Sequence, residues 1–449
     1  MTYSEFKQAV MANAAAQGLE EYDLFYSESN AASAVMLKQG IRSYLTNASR
    51  GACFRCIYHG KPGYAATELF TAEQAEELVA AAMENAASIE SDDQVFIHGV
   101  GDTYRQLAEK SLRTPTGAQL IEKATDTLNA CFAASDRLTD ASEAEVEYLQ
   151  TKVALCNSKG LDLQAENACS TLVAGAIVNE GEDAYIGVDY TCDDFDALQP
   201  EQLAKKAVDQ VLSKIGADSV ESGKYTVVIS NETMCSLLAT YFGVFSAAQM
   251  QRGLSLLKDK EGTAIASPLV TLVDDPFYAD SLVQMPFDHE GVAAYTKKVI
   301  DNGIFQTPLH NLTTAAKAGC KSTGNGAKGG YAAPVGIAPF TFYIAKGEGG
   351  DLAQMLEQAH DGLYITSLDG LHAGANAISG DFSLLAGGYR ITDGKRGSAV
   401  HNITISGNFF DLLREICLIG DDLRLSQPSG FTCFGSPCVM VKNMSIAGK

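Results

Sequence analysis

The sequence lacks the features of membrane, exported and nucleic-acid-binding proteins. No stretch of about 18 apolar residues occurs, so we expect no membrane-spanning helix. Residues 1–17 lack a basic head followed by an apolar run, so they do not resemble a signal peptide and we expect a cytoplasmic protein. Basic residues are few, since 33 Lys and Arg face 55 Asp and Glu for a net charge of −22. Such a surface repels phosphate backbones, which argues against direct nucleic-acid binding.

Apolar residues, in contrast, are plentiful. Hydrophobic residues make up 46% of the 449 and charged residues 20%, which excludes general disorder and allows sizeable cores. At roughly 150 residues per domain, this length suggests two or three domains. The 11 Cys are odd in number and scattered, so without an export signal we expect reduced, mostly buried thiols.

The pattern of apolar residues predicts an α+β fold: an N-terminal α+β region of helices and antiparallel strands, followed by a large β-rich C-terminal domain. Turn and helix signals divide it into an N-terminal α+β domain (1–100), a central helix-plus-hairpin domain (101–220) and the β-rich C-terminal domain (221–449).

In the first half, strands alternate with helices. Residues 22–67 show strand alternation, with turns predicted at Asn47 and Gly60. Residues 143–192 form a second strand block, with hairpin-turn chemistry at Asn157–Gly160 and Asn179–Gly181. Helical spacing predicts five helices in this half, at 2–17, 72–88, 103–112, 116–135 and 200–215. Thr71 is the predicted N-cap of the second.

The second half opens with a strand at Tyr225–Ser230 and a helix predicted over 232–251. Beyond it the sequence is rich in Gly, Thr, Val and Ile in short segments, which favours β-structure. Only two more helices are indicated, at about 350–360 and 408–416.

His289-Glu290 invites comparison with zinc proteases. That chemistry needs a second His on the same helical face, but Ala293 and Ala294 stand four and five residues after His289. Pro286, Asp288 and Gly291 favour a turn, so the segment is predicted to be a polar loop.

Gly324–Gly329 matches the pattern G-x-G-x-x-G. A dinucleotide site needs a strand before the pattern and a helix after it, and Pro334 and Pro339 leave no room for that helix. We therefore interpret residues 327–333 as a loop rich in backbone amides that contacts a ligand or a partner backbone. No two of the seven His lie three or four residues apart, which excludes a local two-His metal site but leaves open one assembled from distant residues.

Several segments together resemble the TldD/PmbA family. Ser49–Gly51 through Gly63–Thr67 is similar to its N-terminal strand block, and Pro286–Val292 to its F-D-x-E-G loop. Further resemblances, in the same order along the chain, are Lys321–Asn325 to an S-T-G-N segment, and Gly380–Ser383, Ile403–Asn408 and the tail from Gly435 to Gly448 to the C-terminal signature.

The resemblance implies one subunit of a cytosolic metallopeptidase built from paired chains. In the family, the TldD chain carries a zinc helix of H-E-x-x-x-H type and a later Cys ligand, whereas TldE, also called PmbA, lacks the zinc motif and completes the peptide chamber. Members are linked to maturation of peptide antibiotics, to antitoxin degradation and, by older naming, to DNA gyrase modulation.

The segment that corresponds to the zinc helix decides which subunit this chain resembles. It lies between the strand at Tyr225–Ser230 and Val273–Asp275, and Thr240–Arg252 within it contains no His and no Glu. The chain therefore resembles TldE, with no catalytic residue and no metal ligand of its own, and zinc is expected on a TldD-like partner. His289 departs from the Asp often found in the family's loop.

The same resemblance predicts which residues contact a peptide substrate or line its chamber. They belong to the two loops above: Asp288, His289, Glu290, Gly291, Ser322, Thr323, Gly324, Asn325 and Gly326. Two alternatives stay open: a stand-alone homodimeric peptide-binding or scaffold protein without peptidase activity, and a peptidase that uses a site not recognisable in the sequence.

Overall fold

The computed structural model of the chain describes residues 1–90, 94–107 and 113–449. Helices make up 26% of the structure and strands 40%, and the two are mixed along the chain. The predicted α+β class is confirmed.

Among its described residues, the first half contains four α-helices and six strands. The helices are α1 (Tyr3–Ala16), α2 (Ala72–Ser88), α3 (Gly117–Ala134) and α4 (Pro200–Lys214). The strands are β1 (Glu21–Leu37), β2 (Gly40–Tyr58), β3 (Lys61–Thr67), β4 (Glu143–Asn157), β5 (Asp162–Glu180) and β6 (Asp183–Asp193).

Helix starts in this half follow from local capping chemistry. The Thr71 side chain accepts a hydrogen bond from Gln74 N and caps α2 as predicted, and Thr116 forms a capping box with Gln119 at the start of α3. The helix predicted at 103–112 is wrong where it can be checked: 103–107 is irregular, and 108–112 lies outside the described residues.

All six strands form one antiparallel sheet in the order β3-β2-β1-β4-β5-β6. The central strand β1 pairs with β2 on one side and with β4 on the other. The strands assigned to the domains 1–100 and 101–220 therefore share a sheet, and the division near residue 100 stays a prediction. Hairpin turns fall at Gly60 and Gly160 as predicted, but Asn47 lies inside β2, opposite Ala31.

Helices cover one face of this sheet. α1 and α2 bury Phe6 and Leu78 against Phe54, while α3 and α4 bury Leu120 and Val208 over the other end. At one end of the opposite face the second half of the chain packs against the sheet, through a cluster that includes Phe25, Val153, Leu155, Met285, Phe287 and Phe340.

The second half is rich in short strands. They are β7 (Gly223–Ile229), β8 (Leu272–Asp275), β9 (Lys297–Asp301), β10 (Ile304–Phe305), β11 (Gly326–Lys328), β12 (Val335–Ile337), β13 (Thr341–Ile344), β14 (Gly362–Asp369), β15 (Asp381–Thr392), β16 (Lys395–Asn408), β17 (Ile416–Ile419), β18 (Arg424–Leu425), β19 (Cys433–Ser436) and β20 (Val439–Ala447). Its helices are α5 (Asn231–Tyr241), α6 (Ala247–Gln251), α7 (Leu312–Ala318), α8 (Leu352–Ala359), α9 (Leu371–Gly374) and α10 (Phe409–Glu415).

These strands form two larger sheets and one hairpin. One sheet has the order β10-β9-β8-β13-β19-β18 and the other β16-β15-β14-β7-β20-β17, with an extra pairing of β16 to β20 that closes the second sheet on itself. A single large core lies between them and includes Tyr241, Phe245, Phe342 and Phe409. The hairpin is β11-β12.

The helix predicted over 232–251 is broken. α5 ends at Tyr241, a 3₁₀ turn spans Phe242–Phe245, and α6 resumes at Ala247. The cause is a contact distant in sequence: Leu309 N donates to Phe245 O at 2.8 Å and Ala247 N to Leu309 O at 3.0 Å. Leu309 thus pairs with the extended residue Ser246 and interrupts the helical ladder.

Two further features bear on the expectations above. Every helix within the described parts of the chain falls short of the length and apolar character that a membrane span needs. All eleven Cys lie in those parts; eight are buried and Cys320 is exposed.

Candidate functional site

The two loops predicted to contact peptide do come together. Asp288 Oδ2 accepts a hydrogen bond from Gly326 N at 2.7 Å, and His289 N donates to Gly326 O at 2.9 Å. Residue 326 must be Gly because a Cβ there would lie 2.9 Å from the Glu290 carboxylate and 3.0 Å from that of Asp288. Both hydrogen bonds and close packing therefore hold the two loops together at Gly326.

Residues 322–325 are anchored by His310, which the sequence analysis did not single out. Thr323 Oγ1 accepts from His310 N at 2.6 Å, and Ser322 Oγ donates to His310 O at 3.1 Å. Gly324 has a positive φ of 69° and passes against the Ala293 carbonyl.

Most of the nine predicted residues are closed off from solvent. Asp288 is 1% exposed, Glu290 2% and His289 6%, and the only partly exposed member is Ser322. The predicted polar loop at 288–291 is thus a buried turn, in which Gly291 O accepts from Tyr104 Oη. In this chain their side chains face protein groups, so contact with a peptide stays a prediction.

The groups that these carboxylates face come from the N-terminal sheet. Arg55 on β2 contacts Glu290 Oε1 through Nη1 at 3.5 Å and binds Asp23 on β1 through Nε and Nη2. All three side chains are buried. Sequence reasoning missed Arg55 and Asp23, since 235 residues separate Arg55 from Glu290 and neither lies in a chemical motif.

This network buries more negative than positive charge, which shifts its titration. Burial, with Glu290 close by, raises the pKa of the Asp288 carboxyl. Burial also raises the pKa of Glu290, although Arg55 opposes that shift. The pair therefore retains a proton at pH values where exposed carboxyls are ionised.

His289 is neutral and structural in this setting. Its Nδ1 accepts from Lys328 N at 2.8 Å, so the ring proton lies on Nε2, which has no hydrogen-bond partner among the described residues. The ring packs 4.8 Å from those of Phe25 and Phe431. Burial lowers the pKa of His289 to about 3, which keeps it uncharged.

Asn325 belongs to a second buried polar group, which is centred on Asp274 of β8. Asp274 on β8 accepts from Asn325 Nδ2 at 2.7 Å, from Lys297 Nζ at 2.9 Å and from Phe340 N at 2.7 Å. The carboxylate is fully paired, so this group fixes the loop that carries Asn325.

A cavity of about 730 Å³ lies beside the broken helix. Its wall includes Phe242, Gly243, Ser246 and Gln249 from the segment that resembles the family's zinc helix. The same segment also contributes Ala248, Gln251 and Arg252. The remaining walls come from β3, the stretch after α2, α7 and β12: Pro62, Tyr64, Ile89, Val95, Asn311, Thr313, Thr314, Lys317, Val335, Gly336 and Ile337.

The donor set of this cavity does not fit zinc. Zinc prefers imidazole, thiolate and carboxylate ligands, whereas Thr240–Arg252 offers only amide, hydroxyl and guanidinium groups as polar side chains besides the phenol of Tyr241. Across the residues that the structure describes, no three His, Cys, Asp or Glu are grouped so that they could hold a metal ion.

Fold and sequence together define a metallopeptidase-type chain: it belongs to the PmbA/TldD family. Its C-terminal part, 222–448, matches the family model described as the PmbA/TldA metallopeptidase C-terminal domain. Residues 22–86 match domain 1 of the same family and 110–215 its central domain. The family predicted from the sequence is confirmed.

Particular relatives agree with this assignment. The chain is 29% identical over 336 residues to Metalloprotease PmbA of Escherichia coli O157:H7, covering 74% of this chain and 70% of the relative. A Thermotoga maritima structure described as a candidate modulator of a DNA gyrase is 30% identical, with a TM-score of 0.90 and coverage of 99% and 100%. TldE from Thermococcus kodakarensis shares the fold at 22% identity, with a TM-score of 0.90 and coverage of 98% and 100%.

Proposed function

We propose that this chain is the PmbA/TldE-like, non-zinc subunit of a cytoplasmic two-chain peptidase. It helps to form the chamber that holds unfolded or precursor peptides, and a TldD-like partner supplies the zinc and cleaves them. The observation that carries the proposal is the composition of Thr240–Arg252: this segment lines the cavity of about 730 Å³ between β3 and the C-terminal domain and contains no His, Cys, Asp or Glu.

The cavity offers two means of holding an extended peptide. Strand β12 pairs only with β11 within the described strands, and its other edge can add a peptide strand through backbone hydrogen bonds once the contact of Asn311 Nδ2 with Gly336 O, at 3.4 Å, is given up. Phe242, Val335 and Ile337 give an apolar surface for side chains, while Gln249 and Thr313 provide polar groups. This chain binds and orients the peptide; bond cleavage belongs to the partner.

The test is to co-express this chain with a zinc-bearing relative and to assay each chain and the mixture against an unstructured peptide. We expect elemental analysis of this chain alone to give no stoichiometric zinc, and hydrolysis only in the mixture. Zinc near one per chain here, with activity lost to a chelator, would overturn the proposal. Peptide binding without any partner-dependent hydrolysis would favour the stand-alone scaffold instead.

A further inference from the structure

Arg252 differs from the other arginines of the chain in the surroundings of its guanidinium. The chain contains eleven Arg, all of them in the described parts. Ten of them contact a carboxylate, a backbone carbonyl or an aromatic ring: Arg42, Arg50, Arg55, Arg105, Arg113, Arg137, Arg390, Arg396, Arg414 and Arg424. In Arg252 the backbone N–H donates to Ala248 O at 3.2 Å, whereas the guanidinium makes no hydrogen bond or ion pair with any described residue. A guanidinium without a partner is unexpected in this chain, because acidic residues outnumber basic ones by 55 to 33.

The side chain of Arg252 lines the cavity beside the broken helix, and the residue is exposed to solvent. Among the described lining residues the one other charged residue is Lys317, and none is Asp or Glu. Four other clefts on the described surface each include at least one Asp: Asp280 in the first, Asp183 and Asp369 in the second, Asp193 in the third and Asp411 in the fourth. The described wall of this cavity therefore carries positive charge only, within a chain whose net charge is −22, and it attracts anionic groups.

The packing of α6 places this charge beside the strand edge proposed to bind peptide. Gln251 Nε2 donates to Thr314 O at 2.8 Å, which ties the last residue of α6 to α7. Arg252 follows Gln251 directly, and α6 also contacts β12. A peptide strand that adds to β12 on this side therefore lies close to Arg252.

We propose that Arg252 binds a carboxylate of the peptide held in this cavity, so that the preferred substrates are peptides with an acidic side chain or a free C-terminal carboxylate beside α6. The inference rests on the proposed function, since it concerns the same cavity. A guanidinium suits a carboxylate because two of its N–H groups donate parallel hydrogen bonds to the two oxygens. A peptide without a carboxylate leaves the guanidinium of Arg252 unpaired.

Peptide binding to the full chain tests the proposal. Three forms of one unstructured peptide are compared by fluorescence polarisation: an uncharged form with an amidated C-terminus, the same form with a single Glu placed at each position in turn, and an uncharged form with a free C-terminal carboxylate. We expect one of the two carboxylate-bearing forms to bind at least about fivefold more tightly than the uncharged amide. The form that binds more tightly shows whether a side chain or the C-terminus supplies the carboxylate.

Substitutions at residue 252 link this preference to the guanidinium. Arg252→Gln should reduce the ratio of the affinities for carboxylate-bearing and uncharged peptide to about one, and Arg252→Lys should keep part of it, because Lys retains the charge but not the bidentate geometry. Increasing salt should lower the ratio for the wild type.

Arg396→Gln is the matched control. Arg396 is exposed, stacks over the Tyr389 ring at 4.8 Å and lies outside the cavity wall. Its replacement removes the same charge and should leave the affinity ratio unchanged. Circular dichroism monitors the folding of each variant.

The same peptides, assayed with the zinc-bearing relative present, separate this inference from the proposed function. Partner-dependent hydrolysis with equal kcat/KM for all three peptide forms would overturn the inference and leave the proposed function standing. A carboxylate preference that survives Arg252→Gln would also overturn it, since another group would then bind the carboxylate. Absence of both binding and hydrolysis for every peptide would overturn the two proposals together.

Discussion

At the scale of single residues, the buried carboxyl pair Asp288 and Glu290 is the most unusual chemistry in the chain. Each accepts backbone hydrogen bonds, Glu290 from Leu312 N at 2.8 Å and Asp288 from Gly326 N, yet burial raises the pKa of both. Arg55 and Asp23 nearby neutralise each other, so a retained proton relieves the remaining repulsion. Stability should therefore depend on pH through this pair.

The direction of this pH dependence follows from the difference in pKa between the folded and the unfolded chain. In the unfolded chain both carboxyls titrate near pH 4, whereas the folded chain holds a proton to higher pH. The contribution to stability is complete below the unfolded pKa and is lost as pH rises through the folded pKa. We expect the free energy of unfolding of the wild type to fall more steeply above about pH 4 than that of Glu290→Gln, measured by urea denaturation at several pH values.

Glu348→Gln is the control for that measurement. Glu348 is exposed, so its replacement removes the same formal charge without touching the buried pair. It should reproduce the wild-type slope. Equal slopes for the wild type and Glu290→Gln would contradict a shared buried proton.

At the scale of elements, the break between α5 and α6 shapes the cavity wall. Gly243 lies in the 3₁₀ turn, lines the cavity, and a Cβ at this position would meet nothing within 4 Å. A larger side chain here enters empty space and leaves the core packing unchanged. The turn thus allows the cavity to be filled without disturbing the fold.

Gly243→Leu should therefore block the cavity selectively. We expect partner-dependent peptide hydrolysis to fall roughly tenfold or more while the free energy of unfolding changes by less than about 0.5 kcal/mol. Gly223→Leu is the matched control, since Gly223 is exposed at the start of β7, a Cβ there makes only ordinary contact with the Tyr225 ring at 3.6 Å, and the residue lies outside the cavity wall. Unchanged hydrolysis by Gly243→Leu would exclude this cavity as the peptide site.

Local chemistry made many of these elements predictable. Thr71 caps α2, and Asn157–Gly160 forms the β4–β5 turn, because both signals act within a few residues. The turn predicted at Asn47 is wrong, because Asn47 pairs with Ala31 of β1 inside the sheet. The real turn between β1 and β2 lies just before Gly40, where the sequence has no Asn-Gly signal. The break at Ser246 could not be foreseen, since Leu309 causes it from a distant part of the chain.

In the candidate site, too, contacts between residues distant in sequence could not be predicted from local patterns. Motif resemblance grouped the loops that contain Asp288 and Gly326, and these do meet. Their burial depends on packing against β1 and β2, which no local pattern in either loop reveals. The sequence therefore assigned both loops to one peptide chamber, which stays a prediction, and it indicated neither their burial nor their partner Arg55.

At the scale of the whole molecule, Arg55 joins the N-terminal sheet to the C-terminal domain through Glu290. Arg55→Met leaves Asp23 and Glu290 buried without their cation, and we expect a loss of about 3–5 kcal/mol of unfolding free energy. Guanidinium denaturation at neutral pH measures it. The loss should shrink in acid, where the stranded carboxyls take up protons.

Arg50→Met provides the comparison on the same strand. Arg50 is exposed and stacks over the Phe70 ring at 5.0 Å, so its loss should cost about 1 kcal/mol or less. If Arg55→Met and Arg50→Met lost similar amounts of unfolding free energy, the buried contact of Arg55 with Glu290 would not stabilise the fold more than an exposed stacking contact does.

The position of β1 in the middle of its sheet has a consequence for synthesis of the chain. β1 finds β2 immediately after it in the sequence, but β4, its other neighbour, ends only at Asn157. A ribosome that adds about 5–20 residues per second leaves that side of β1 waiting for roughly 6 to 24 seconds. During this interval the nascent chain presents a long bare strand, so the time of greatest risk for aggregation, and of greatest need for a chaperone, comes before the central segment has emerged.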